Sequence, residues 1–393
     1  MSLIGRSSTR LIAPCISGRR QRRPFTTSKQ YDPLGILFCG ADDFSIYSLK
    51  ALFETKQHSS NGKIASIDIV CRPGKRVGRG MKQIRNPPIQ AVAKDLGLPL
   101  HELDTFTGWR PPGHVNLVVA VSFGLLVPSR ILNGAQYGGL NIHPSLLPEL
   151  RGSAPIQHAL LQRKTKTGVS LQTMHPMKFD HGTILDQVVA EVKPESNYSE
   201  LVHQLGPMGA QMLARGIDHG IFVEPLEEVK NDIEPSYAPK LTAAERQIDW
   251  QMWTSDELLV RDRVLGKLSD FTTYDICREP SEPPKRVTFD GPWTLCPHLY
   301  AEERKRYGKD IIGLPLPVHW HDNSNGWLEA RPGHRWGQND HLGICTIDGS
   351  FAIPAHYRVE GETRKFSGYM SKLSKLLVQR LNDGEIFNRS KAS

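Results

Sequence analysis

The first 31 residues contain no aspartate or glutamate. Arg6, Arg10, Arg19, Arg20, Arg22, Arg23 and Lys29 all fall there, so seven of the 49 basic residues precede Asp32 and 42 remain against 41 acidic ones. The net charge of +8 therefore belongs to one end, and the rest of the chain is close to neutral. An Arg-, Ser- and Thr-rich, acid-free N-terminus has the composition of a mitochondrial transit peptide. Residues 1–30 are expected to be that segment, with Arg22 to Ser28 as the processing region and the mitochondrial matrix as destination. A disordered basic arm that binds RNA has the same composition.

Other absences narrow the chemistry. The six cysteines, Cys15, Cys39, Cys71, Cys277, Cys296 and Cys345, show no Cys-x-x-Cys and no zinc spacing, so neither a disulfide framework nor a cysteine metal site is expected. Cys39 and Cys345 lie in apolar runs and read as small core residues. No Gly-x-Gly-x-x-Gly follows the first strand-like run and no Walker loop occurs, which argues against a dinucleotide site and ATP-driven chemistry. No apolar run is long enough to span a bilayer, so a soluble protein without a membrane partner is expected. His143, His158, His175 and His181 match no metal-ligand spacing, and no metal is expected.

What is present is a βαβ rhythm from Leu34 to Val223. Strands are expected at Ile36 to Cys39, Ile64 to Cys71, Val115 to Phe123, Leu140 to His143, Val169 to Met174 and Ile184 to Val192. Helices are expected at Phe44 to Phe53, Pro87 to Leu96 and Ser199 to Ile217. The almost continuous apolar run at Val115 to Phe123 suits a parallel strand buried on both faces. The pattern implies an α/β, Rossmann-like doubly wound domain over residues 31–230. Residues 231–250 read as a linker, and 251–393 as a smaller domain of short strands and turns, suggestive of a β-barrel. In that domain Leu258 to Leu268 can form a helix. Glu279 to Pro284 and Leu314 to Val318 read as proline-rich breaks, and Ile344 to Ile353 as a hairpin around Asp348-Gly349.

The densest polar signal is Gly139-Leu140-Asn141-Ile142-His143-Pro144-Ser145-Leu146-Leu147-Pro148, continuing through Arg151-Gly152-Ser153-Ala154-Pro155-Ile156-Gln157. Asn141 and His143 flank Ile142, so on a strand they share a face. An amide and an imidazole at the carboxyl end of a strand form a polar site where open α/β sheets bind ligands. Farther on, Asp180-His181-Gly182 is a turn sequence that carries a carboxylate. Between Cys71 and Asn86 lie Arg72, Lys75, Arg76, Arg79, Lys82 and Arg85 with Gly74, Gly78 and Gly80 and no acid. A flexible cationic loop of that kind can grip phosphates.

The run Asn-x-His-x-Ser-Leu-Leu-Pro, then Arg-Gly and Ala-Pro-Ile-Gln, resembles the signature of the folate-dependent formyltransferases, and within them of those acting on methionyl-tRNA. Phe38-Cys39-Gly40 with Asp43-Phe44, Arg72-Pro73 with Gly78-Arg79-Gly80, Phe123 to Pro128, Phe179 to Leu185, and Tyr237 to Leu241 with Ile248-Asp249-Trp250 resemble further family segments in family order. His181 departs from the family's Thr or Ser, and the Asn-Pro-Trp-Pro segment after the linker is absent.

The resemblance implies formyl transfer from 10-formyltetrahydrofolate to the α-amine of initiator methionyl-tRNA for mitochondrial translation initiation. It implies Asn141, His143 and Asp180 as the catalytic residues. Asn141 and His143 would donate to the oxyanion, and Asp180 would orient the imidazole, order a water and assist proton removal. Folate contacts are implied at Phe123, Gly124, Leu125, Leu126 and Val127 and at Ser145, Leu146, Leu147 and Pro148. Phe123, Leu125 and Leu126 serve equally well as core residues. The six cations from Arg72 to Arg85 are implied to hold tRNA, a monomer is expected, and the second domain is implied to be OB-like. A formyltransferase acting on a small amine, a formyltetrahydrofolate hydrolase and a catalytically weak RNA-binding protein stand as alternatives.

Overall fold

A computed structural model of the chain describes residues 28–58, 62–277, 281–297, 311–320, 327–328 and 340–362. The expected transit peptide up to Thr27, and Glu279 and Pro280 of the expected break, lie outside these residues, as does the Arg79 side chain. The chain divides into two compact units: one runs to Pro155 and resumes over Lys164–Ala238, and the other joins Ile156–Arg163 to the chain from Pro239 onward.

The first unit begins with β1 (Leu34–Gly40), all seven residues buried, then α1 (Asp43–His58) and β2 (Ile64–Cys71). Two short strands, β3 (Lys75–Val77) and β4 (Gln83–Arg85), follow, then α2 (Ile89–Asp95) and β5 (Leu100–Glu102). Next come β6 (Leu117–Val121), α3 (Ser129–Leu132) and β7 (Gly139–His143). α4 (Pro155–Leu161) falls with the second unit from Ile156, and β8 (Lys166–Thr173), β9 (Ile184–Glu191) and α5 (Tyr198–His219) return to the first.

The central sheet has the order β5-β2-β1-β6-β7-β8-β9. The five strands from β5 to β7 are parallel, whereas β8 pairs antiparallel with both β7 and β9. The sheet is thus mostly parallel. β1 and β6 are buried along their whole length, as their apolar runs predict. α5 is fixed at one end by a capping box in which the Asn197 side chain and Glu200 bond each other's backbone, and at the other by Gly220 in a left-handed conformation. Within α5, Gly209 lets the helix lie on the sheet, because a Cβ there would come within 2.9 Å of Ile142.

The strand order reverses between β1 and β6, which places the ligand-binding crevice at the carboxyl ends of the parallel strands. β7 ends at that edge with Asn141, Ile142 and His143.

The second unit adds α6 (Ser255–Leu265), β10 (Leu268–Asp270), α7 (Thr272–Cys277) and β11 (Val287–Cys296). β12 (Pro315–Trp320), β13 (Trp327–Leu328), β14 (Asp340–Cys345) and β15 (Phe351–Val359) complete it. They form one antiparallel sheet of order β10-β11-β15-β14-β12-β13 around buried Phe289, Phe351 and Tyr357. The hairpin around Asp348-Gly349 joins β14 to β15, with Thr346 N donating to Ser350 O at 2.9 Å. Leu314 to Val318, expected as a break, instead lies largely in β12.

Two prolines two residues apart, Pro315 and Pro317, lack donors on the same edge of β12. Among the described residues β12 pairs with β14 over Pro315 to His319 and with β13 only at His319 and Trp320.

Candidate active site

Three side chains from two elements meet at the end of β7. Strand alternation turns Asn141 and His143 to one face while Ile142, 1 % exposed, enters the core. The Asn141 Nδ2 donates to Ala120 O at 3.0 Å, which commits one of its two N–H groups. His143 is 5 % exposed. Its Nε2 lies 3.0 Å from Leu150 O, and a carbonyl can only accept, so the ring carries a proton on Nε2. Nδ1 is then the nitrogen that faces Asp180 Oδ1, at 3.3 Å.

Asp180 sits in the loop between β8 and β9 with φ 57°, in the left-handed region that Asp tolerates better than most residues. Its Oδ2 accepts from Gly152 N at 2.9 Å and its Oδ1 from Gln172 Nε2 at 3.2 Å. Gly182 closes the loop against β8, because a Cβ there would lie 1.7 Å from Thr173 O.

The loop after β7 is pinned by residues expected to be linker. Leu150 N donates to Ser236 Oγ at 2.9 Å, Arg151 N to Ser236 O at 2.9 Å, and Ala238 N to Arg151 O at 2.7 Å. The result is one hydrogen-bonded group holding an amide with a spare N–H, an imidazole and a carboxylate. Such a group can polarise a carbonyl-type oxygen and move a proton without a covalent nucleophile. At the neighbouring end of β1, Asp42 accepts from Ser45 N at 3.0 Å. Burial pushes its carboxyl above the ordinary range against the hydrogen bonds from Ser45 and Ser122.

The formyl transferase family profile matches residues 36–217. The mitochondrial methionyl-tRNA formyltransferase of Saccharomyces cerevisiae is 33 % identical over 305 residues, covering 67 % of this chain and 76 % of the relative. The chain belongs to the methionyl-tRNA formyltransferase family. The mitochondrial member from Rattus norvegicus is 29 % identical over 67 % of this chain and 69 % of its own length. That from Bacillus velezensis is 31 % identical over 55 % of this chain and 67 % of its own length.

Of the folate positions that the family resemblance implied, Phe123 and Val127 are buried in the core, Leu125 is half-buried, and Gly124 and Leu126 are exposed. Leu125 and Leu126 line an open cleft of about 400 Å³ with the Asp104 to Gly108 loop, Pro128 and Arg130. Ser145 and Leu147 are buried, and Leu146 and Pro148 are half-buried. Ser145 Oγ donates to Glu149 O at 2.6 Å, and Leu147 N to Ser170 Oγ at 3.0 Å, so this segment is bonded internally.

The cationic stretch, expected as a flexible loop, is an antiparallel hairpin of β3 and β4 turning through Arg79–Met81. Its alternating backbone bonds hold a shape that exposed three-residue strands do not announce. Lys75, Arg76, Lys82 and Arg85 are exposed and form no ion pair among the described residues. Arg72 instead pairs with Asp104 at 3.1 Å.

The four histidines do not converge: His158 Nε2 lies 3.0 Å from Pro239 O, and His175 Nδ1 accepts from Met177 N and Lys178 N at 3.1 Å. His181 turns its Nδ1 to Phe179 O at 2.5 Å. Sequence reasoning missed Gln172, whose one signal was a large amide among the small and apolar residues that follow Lys166 in β8. It also missed Ser236, which carried none.

Proposed function

We propose that this chain transfers a formyl group from 10-formyltetrahydrofolate to the α-amine of initiator methionyl-tRNA in the mitochondrial matrix. The observation that carries the reading is the convergence of His143 Nδ1 on Asp180 Oδ1 at 3.3 Å, beside Asn141 at the carboxyl end of β7, in a chain of this family. The donor supplies an activated one-carbon acyl group. The chain's residues fit such a donor: the cleft beside Leu125 and Leu126 combines the apolar Phe106, Leu125, Leu126 and Pro128 with the polar Asp104, Thr105, Thr107 and Arg130, a mixed lining suited to a ring system that carries polar edges.

Asn141 offers that N–H to the oxygen that takes up negative charge. His143, held through Nε2 by Leu150 O, leaves Nδ1 as the nitrogen that can take up the proton of the attacking amine. Asp180, 3.3 Å from Nδ1 and itself fixed by Gly152 N, stabilises the imidazolium that this proton transfer forms. No nucleophilic role falls to Ser145, whose hydroxyl is turned to Glu149 O. Folate is read as contacting Phe123 to Val127 and Ser145 to Pro148, with Leu125 and Leu126 the best exposed.

For the acceptor, Lys75, Arg76, Lys82 and Arg85 on the hairpin are suited to grip backbone phosphates, and Arg79 belongs to the same turn. Arg72, paired with Asp104, is the least free of the six. The antiparallel sheet of the second unit is read as an OB-like barrel adding nucleic-acid contacts, with 1–30 as transit peptide, 31–230 as catalytic domain and 231–250 as linker. The enzyme is read as a monomer.

The test is a formylation assay with labelled 10-formyltetrahydrofolate and three acceptors: charged initiator tRNA, free small amines and water. Label in methionyl-tRNA supports the reading. Label only in a small amine, or only in formate, overturns it.

A further inference from the structure

Gln172 occupies the centre of the polar group, yet formyl transfer as derived from Asn141, His143 and Asp180 leaves it without a task. It is 1 % exposed, and the β7–β8 register sets it directly opposite Asn141. The β8–β9 ladder shifts register between Leu171 and Gln172, an irregularity of the kind that re-aims a side chain beside an active site. Its Nε2 donates to Asn141 Oδ1 at 3.0 Å and to Asp180 Oδ1 at 3.2 Å, while its Oε1 accepts from Gly182 N at 3.2 Å.

Every one of these contacts has a single workable orientation. Turning the Gln172 amide over would aim Oε1 at two acceptors and the NH2 group at the Gly182 N–H. Turning Asn141 over would oppose Nδ2 to Nε2 and Oδ1 to Ala120 O. Each amide therefore locks the other.

We propose that Gln172 is a positioning residue for formyl transfer: its one NH2 group holds both the Asn141 amide, with the free N–H toward the reacting oxygen, and the Asp180 carboxylate, through Oδ1. The inference rests on the formyl-transfer reading. The mechanism is electrostatic. A neutral donor to a carboxylate stabilises its charged form, and removing that donor makes protonation easier. The other groups facing Asp180 are the His143 Nδ1 from β7 and the Gly152 N–H from the loop after it. Arg151 is the cation next to Gly152 in that loop, and His181, on the Asp180 loop itself, bonds Phe179 O.

Two variants test this in the full-length enzyme. Gln172→Met keeps the bulk and removes both donors. Gln172→Glu replaces the donors with acceptors beside Asn141 Oδ1 and Asp180 Oδ1. Single-turnover formyl transfer to methionyl-tRNA is followed against pH for both variants and for the wild type. Gln172→Met should lower the rate about 10²-fold, the scale of a small misplacement of reacting groups, with KM little changed. The acid limb of its pH profile should move upward. In Gln172→Glu that limb should move farther, by roughly one unit or more, because two carboxylates then share one site.

A purely structural role would scale the profile down without moving it, and acid limbs that superimpose on the wild type's overturn the inference. A second readout needs no turnover: the 13C titration of the Asp180 carboxyl carbon, assigned through Asp180→Asn. A midpoint higher in Gln172→Met than in the wild type supports the positioning role. An unchanged midpoint refutes it. Because this titration stands apart from activity, a wild type that formylates nothing would sink the functional reading alone.

Discussion

Replacing Asp180 with Asn keeps the volume and removes the charge, and the geometry of the site fixes the consequence. Three groups converge on this carboxylate: Gly152 N at 2.9 Å, Gln172 Nε2 at 3.2 Å and His143 Nδ1 at 3.3 Å. An amide has one acceptor oxygen, so its NH2 must face a donor that the carboxylate had satisfied. One buried donor left unmatched costs about 1–3 kcal/mol of stability. The catalytic effect is larger. Loss of a positioned acid–base group lowers turnover by about 10²–10⁴, which is about 3–5 kcal/mol on the barrier. The assay is single-turnover formyl transfer at saturating donor and tRNA, with far-ultraviolet circular dichroism to verify the fold. Turnover in Asp180→Asn close to wild type, with the fold intact, would show that Asp180 only braces its loop.

Three further outcomes are expected. Arg76→Ala with Lys82→Ala should weaken tRNA binding and reduce the slope of log affinity against log salt by roughly 0.7–0.9 for each phosphate no longer neutralised; equal affinity at every salt concentration would make the hairpin a solvated surface. Gly182→Ala places a Cβ 1.7 Å from Thr173 O and should move the Asp180 loop, costing about 1–3 kcal/mol in the melt as overpacking does, with most turnover lost; a normal melt and normal rate would contradict the close approach. Burial raises the Asp270 carboxyl to about 6, against hydrogen bonds from Thr273 and Trp250, so its favourable contribution is complete below the unfolded value near 3.8 and is lost as pH rises through about 6. The stability difference between wild type and Asp270→Asn, followed by Trp fluorescence in urea, should therefore change across roughly pH 4–6, by up to about 3 kcal/mol; a pH-independent difference would refute it.

How much of this was legible in the sequence depended on how local its cause was. The period-two spacing of Asn141 and His143 gave the face they share, and the apolar run from Val115 to Phe123 gave a strand, of which Leu117–Val121 forms fully buried β6. Asp348-Gly349 marked its hairpin. What escaped was set by partners far along the chain. β3 and β4 are three residues each, all exposed but the half-buried Val77, and carry no alternation, so nothing distinguished them from a loop. β12 carries Pro315 and Pro317, which argue against a strand, and its pairing with β14 is set by residues far along the chain. Ser236 sits 86 residues from the Leu150 whose N–H it binds. Gln172 owes its place to a ladder irregularity that no single residue type announces. The residues proposed as catalytic could be named from the sequence because chemistry restricts their type, whereas those proposed to orient them are restricted only by the assembled geometry.

The central claim is that Asn141 stabilises the oxygen of the transferring formyl group and His143 takes up the proton of the attacking amine. Its most direct measurement is single-turnover transfer of labelled formyl from 10-formyltetrahydrofolate to methionyl-tRNA by the wild type, Asn141→Ala and His143→Ala, each verified as folded. The wild type should yield formylmethionyl-tRNA. Asn141→Ala should fall by about 10²–10³, as loss of an oxyanion donor does, and His143→Ala by roughly 10²–10⁴. Near-normal transfer by both folded variants, or a wild type that releases formate without labelling tRNA, would contradict the account.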